Sequence, residues 1–193
     1  MEGADIFPGY VICASAANGA HHLTGIEAGP SRTHTNLSDW YHEPPEVDDD
    51  GRKLNEAEFS YPNVLREEPD VVVFNRSESA LRRDKPVKTN VNDTVRVFFE
   101  NAGPNLTSAF HVIGSNFRRA YRDGNVSSPH SQFVSTLSVP PGAATIVDMI
   151  MLVPGTMTLV DHAIFRVDKG TVGYLNVWGK PRPDIYQLLM TIV

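Results

Sequence analysis

Chemistry near neutral pH in this sequence has to be built mainly from histidine, of which there are seven against a single cysteine, Cys13. Two of the seven stand inside β-rich runs. Side chains on a strand point to alternate faces, so residues two apart share one. In Phe110-His111-Val112-Ile113-Gly114, His111 therefore shares a face with Ile113, which sets a proton-moving group beside a bulky apolar wall. Such a pair could line a pocket for a small substrate. In Leu159-Val160-Asp161-His162-Ala163-Ile164, His162 falls in a row with Val160 and Ile164, an apolar setting that favours the neutral imidazole a metal requires. Taken singly, a strand histidine is more often a hydrogen-bonded core or interface residue than a ligand, and the spacing here matches neither HExxH nor a Cys-rich zinc site. His34, His42 and His130 lie in polar or Pro-rich stretches and read as surface residues.

The elements that must position these residues are β-strands. The chain has 193 residues, 41% of them hydrophobic, enough for a real core in one compact domain. From Asp70 onward short β-rich runs recur: 71–75, 94–100, 109–113, 134–139, 144–151, 156–160 and 172–177. Turn chemistry separates them, as in Asn101-Ala102-Gly103-Pro104 and Pro140-Pro141-Gly142. No long amphipathic helix intervenes, so the fold class expected is all-β: a Greek-key β-sandwich, antiparallel, with Val95, Val97 and Phe99 facing the core. Phe98 must then find cover on the opposite face.

Upstream, residues 30 to 58 carry three prolines and the acidic run Glu46-Val47-Asp48-Asp49-Asp50, which reads as solvated linker and lacks the alternating ligands of a calcium loop. The N-terminal segment is accordingly expected to be irregular, with one helical turn near Tyr61 to Glu67 before Pro69. A formal charge of −6, without a run of Lys or Arg, speaks against nucleic acid as a partner. No stretch approaches the ~18 apolar residues of a membrane span, and the acidic start is unlike a secretory signal.

Several longer segments resemble one family in order. Gly103-Pro104-Asn105-Leu106-Thr107-Ser108-Ala109-Phe110-His111-Val112-Ile113-Gly114 is similar to the GPN-x-x-S-x-FHVIG segment of copper-containing nitrite reductases. Val71-Val72-Val73-Phe74-Asn75 resembles the strand that opens their second domain. Thr136-Leu137-Ser138-Val139-Pro140-Pro141-Gly142 resembles their T-x-x-VPPG turn, and Leu159-Val160-Asp161-His162 their LVDH. The close, from Gly170 to Tyr186, is most like eukaryotic, fungal-type members. The resemblance implies a cupredoxin-like fold, with 59–187 as a second cupredoxin domain, 1–58 as the remnant of a first plus a linker, and 188–193 as a divergent tail. It implies one-electron reduction of nitrite to nitric oxide, as in denitrification, in a homotrimer served by a small redox electron donor. The family is periplasmic in bacteria or mitochondrial in fungi. It assigns His111 to proton relay, Ile113 to shaping the nitrite pocket, and His162 to a type 2 copper whose other ligands come from a neighbouring subunit.

Near the start, Cys13-Ala14-Ser15-Ala16-Ala17-Asn18-Gly19-Ala20-His21 and Gly25-Ile26 resemble the family's type 1 copper loop, making Cys13 and His21 remnant type 1 ligands. Ile26 stands where the axial Met belongs, and Ile12 where a type 2 His precedes the Cys. The reading expected is therefore an N-terminally truncated member, short of complete copper sites and inactive as an isolated chain. The alternative is a non-catalytic cupredoxin-like domain, either a relic or a subunit that docks on a full-length reductase.

Overall fold

The structure is a computed structural model that describes residues 31–82 and 86–186. Two sheets form, and the expected β-sandwich is the result. A six-stranded sheet runs in the order β2-β1-β4-β9-β6-β7, built from β1 (Ser31–Trp40), β2 (Val71–Phe74), β4 (Thr94–Gly103), β6 (Phe117–Arg122), β7 (Ser131–Val134) and β9 (Ala144–Ile150). A five-stranded sheet runs β3-β11-β10-β5-β8, from β3 (Val87–Asn90), β5 (Ser108–Ile113), β8 (Thr136–Val139), β10 (Gly155–Asp161) and β11 (Val172–Trp178). The chain changes sheet between β2 and β3, β3 and β4, β4 and β5, β5 and β6, β7 and β8, β8 and β9, and β9 and β10, the wiring of a Greek key. The α-helix α1 (Tyr61–Arg66) sits where the helical turn was expected. The Ser60 side chain caps its start, and Glu67 in the left-handed region ends it two residues before Pro69.

Burial follows the pleat. Val95, Val97 and Phe99 of β4 point into the space between the sheets, as do Phe110 and Val112 of β5. Phe99 stacks on Phe110 with ring centroids 4.1 Å apart, and Phe110 on Phe117 at 5.4 Å. This aromatic column joins the two sheets and fixes which face of β5 looks outward. Phe98 finds its cover on the other side, stacked on His34 at 4.7 Å.

The structure departs from the sequence reading upstream of residue 59. Ser31–Trp40 is a ten-residue strand, placed second in its sheet and paired parallel to β4 and antiparallel to β2. The sandwich thus takes in a segment that its polar composition had marked as linker. Among its polar side chains, Thr35, Ser38 and Asp39 are buried. Asp39 Oδ2 accepts from Tyr41 Oη at 2.6 Å and from the Asn105 amide at 3.2 Å, and Leu37 packs in the core. His34 is a strand residue rather than a loop residue. A second parallel pair, β3 with β11, makes both sheets mixed where antiparallel pairing was expected.

Polar satisfaction on the outer face of the six-stranded sheet is equally local. Arg96 of β4 meets Asp148 of β9 in a two-pronged ion pair at 2.6 and 2.7 Å, with both side chains buried. The carboxylate's hydrogen bonds and charge hold the guanidinium's pKa above its ordinary value.

Candidate functional site

The site is assembled on the outer face of the five-stranded sheet, at the end where β5 and β10 run side by side. β5 turns Phe110 and Val112 inward, so His111 and Ile113 must face out, and Ile113 is 45% exposed. The shared face inferred from spacing is what forms. His162 is placed differently from the expected row. β10 ends at Asp161, and His162 stands on a bend one residue beyond it, followed by a 3-10 helix at Ile164–Lys169. Its amide nevertheless extends the β10–β5 ladder by donating to Ala109 O at 2.8 Å.

That extra rung brings the two histidines together from 51 positions apart in the sequence. Their ring centroids lie 5.0 Å apart, edge to face at 78°. His111 Nδ1 is 2.7 Å from Ser135 O and 3.2 Å from Thr136 Oγ1. The contact to the carbonyl requires the proton on Nδ1, which leaves Nε2 as the nitrogen available to another partner. His162 is exposed. Beside His111 opens a cleft of about 410 Å³, lined also by Ser115, Asn116, Leu152 and Met157. Gly114 closes β5 at φ +96, and a Cβ there would collide with Met157 Sδ, so the turn next to the cleft requires glycine.

Sequence reasoning passed over the groups that fix this arrangement. Asp161 is fully buried. Its Oδ1 accepts from the amides of Ala109 at 3.1 Å and Ala163 at 3.0 Å, and its Oδ2 from Arg166 at 2.7 Å. Arg166 also reaches Thr107 O at 2.9 Å. The available signal was an acidic residue directly before the histidine with an arginine five positions on. On the approach to β5, Asn101 Nδ2 donates to Leu106 O and Val139 O at 2.7 and 2.8 Å, and Asn105 Nδ2 to Val64 O at 2.9 Å. These bonds give the Asn-Ala-Gly-Pro-Asn stretch a physical role. Cys13 and His21, with Ile12 and Ile26, lie outside the described residues.

No family model matches the chain. Over 128 residues, or 66% of its length, it is 40% identical to the copper-containing nitrite reductase of Neisseria meningitidis (serogroup A, serotype 4A). In this stretch the chain resembles copper-containing nitrite reductases. It spans about a third of the length of the curated relatives it matches, 33% of that one. Among solved structures it superposes on the Cu-containing nitrite reductase from Thermus scotoductus with a TM-score of 0.66 at 23% identity, covering 85% of this chain and 34% of that one. A multicopper oxidase gives a TM-score of 0.60 at 17% identity, covering 80% and 46%. The fold is therefore the cupredoxin-like sandwich, which nitrite reductases share with multicopper oxidases.

A nitrite-reductase metal centre would need a set of ligands, and the described residues offer few. They contain no group of three or more His, Cys, Asp or Glu side chains placed to hold a metal ion. His111 and His162 are two imidazoles, short of the three that a catalytic site with one open position requires. Within one chain the described donors do not fit a complete copper centre. None of the described helices is long and apolar enough to cross a membrane.

Proposed function

We propose that this chain supplies the second-domain share of a copper-dependent nitrite reductase, and that by itself it does not turn over nitrite. The observation that carries the reading is the approach of His111 to His162 at the protein surface, with Ile113 on the same face. In this reading His162 is offered to a metal completed by histidines of a second chain. His111, fixed through Nδ1 to Ser135, holds or moves a proton at Nε2, and Ile113 narrows the space for a small anion. The reaction is the reduction of nitrite to nitric oxide by one electron and two protons, in which one nitrite oxygen leaves as water. Copper would serve both as electron carrier and as the ion that binds nitrite, with the electron arriving from a small redox donor.

Assembly as a homotrimer belongs to the same proposal. Apolar side chains next to the site support it: Ile164 directly follows the His162 bend, and Phe165 is 85% exposed. The closing segment from Gly170 to Tyr186 supports a place near the eukaryotic, fungal-type members. Cys13 and His21 remain proposed remnant type 1 ligands. The shortage of ligands favours a second reading, a non-catalytic cupredoxin-like domain that docks on a full-length reductase.

The test is to load the purified chain with copper, record visible and EPR spectra, and assay nitric oxide with an artificial donor. Neither a blue band nor turnover is expected. Added to a full-length reductase whose own corresponding histidine is removed, the chain should restore turnover, and its His162→Ala variant should not. Turnover by the chain alone, lost in His162→Ala, would overturn the incompleteness. No rescue of the partner would leave the non-catalytic reading standing.

A further inference from the structure

We propose that Asp161 and Arg166 are positioning residues whose joint task is to hold the imidazole of His162 against that of His111. The functional meaning of that task rests on the reading above; the geometry does not. His162 sits where β10 has ended, on an exposed bend, and the rung from its amide to Ala109 O places its backbone beside β5 but does not by itself orient its ring. A bend with an exposed side chain is ordinarily free to fray.

Here a single buried carboxylate prevents it. Through Oδ1, Asp161 accepts one amide from β5, at Ala109, and one from just past the histidine, at Ala163. The carboxylate of the residue before His162 thus ties the residue after it to β5. Ala109 is held twice, since its carbonyl accepts from the His162 amide while its own amide donates to Asp161. A buried carboxylate needs a compensating charge, and Arg166 supplies it from the 3-10 helix at 2.7 Å. The same guanidinium nitrogen reaches Thr107 O, ahead of β5. Four segments therefore converge on one ion pair: the chain entering β5, β5 itself, the bend, and the helix after it. The two histidines sit on the segments so joined. A lysine at 166 would keep the charge and lose the planar fork.

Solution NMR on the metal-free chain tests this, reading contacts between the ring protons of His111 and His162. The wild type should show them. Arg166→Ala should lose them while remaining folded, with hydrogen exchange at the Ala163 amide faster by roughly tenfold. Asp161→Asn keeps an oxygen for the two amides and removes the charge that holds the guanidinium, so its ring contacts should weaken. Arg166→Lys should retain them in part. A staple that only stabilises the fold would lower the melting temperature of these variants and leave the ring contacts of the folded protein unchanged, which would overturn the proposal. If Arg166→Ala does not fold, Asp161→Asn decides by the same criterion. The readout uses neither copper nor nitrite, so intact ring contacts without rescue of a partner reductase would count against the proposed function alone.

Discussion

At the scale of single residues, the outward pair His111 and Ile113 was legible because Phe110 and Val112 on either side of His111 are plainly core residues. The groups that hold the pair were not, because a buried Asp and a solvated Asp look alike in sequence until their partners are known. Asp39 shows the same blindness. It stands in a stretch read as linker, yet it is buried and accepts a hydrogen bond from Tyr41. Burial pushes its pKa above the ordinary carboxylate range, against the lowering effect of that hydrogen bond. Burial and the Asp39 carboxylate together push the Tyr41 hydroxyl up, so it stays a donor. The folded state then holds the Asp39 proton more tightly than the unfolded chain does. Its stabilising contribution is complete below the unfolded value of about 4 and is lost as pH rises through the folded-state value. Measured by urea unfolding from pH 4 to 7, the wild type should lose stability relative to Asp39→Asn as pH rises. A difference independent of pH would show that the carboxyl titrates as it does in water.

At the scale of elements, β2, β4, β5, β8, β9, β10 and β11 follow from β-branched and aromatic runs, and six-residue α1 from its capping serine and the proline ahead. β1, β3, β6 and all of β7 but its last residue did not. Phe117–Arg122 carries three arginines, and Ser31–Trp40 is mostly polar; both become strands because neighbours supply hydrogen bonds and cover. Strand preference measures fit to a half-buried pleated surface, which is a property of the partners. β5 offers the sharpest contrast between the two faces. Phe110→Ala removes the middle ring of the aromatic column and should cost about 3–5 kcal/mol. Ile113→Ala, on the exposed face, should lie within about 0.5 kcal/mol of wild type. Chemical denaturation of both variants checks the assignment, and comparable losses would mean that the strand's facing is misjudged.

At the scale of the whole molecule, the sandwich architecture could be read from the rhythm of strands and turns, but not its edge in sequence, since composition placed the limit at residue 59. Exposed Phe165 beside the site bears on association. If copies of this chain meet there, Phe165→Asp should weaken self-association by tenfold or more, about 1.4 kcal/mol, in sedimentation equilibrium. Equal association of both proteins would move the interface elsewhere. The position of β1 has a further consequence. It lies between β2 and β4, paired with both, so a polypeptide begun at residue 59 would carry a slot in its sheet one strand wide, roughly 10 Å between the flanking strands. Both walls of that slot would present unsatisfied backbone donors and acceptors, an invitation to any extended peptide. The natural occupant is the decapeptide Ser31–Trp40. Supplied in trans, it should insert and keep the shortened chain in solution, whereas the same ten residues in scrambled order should not.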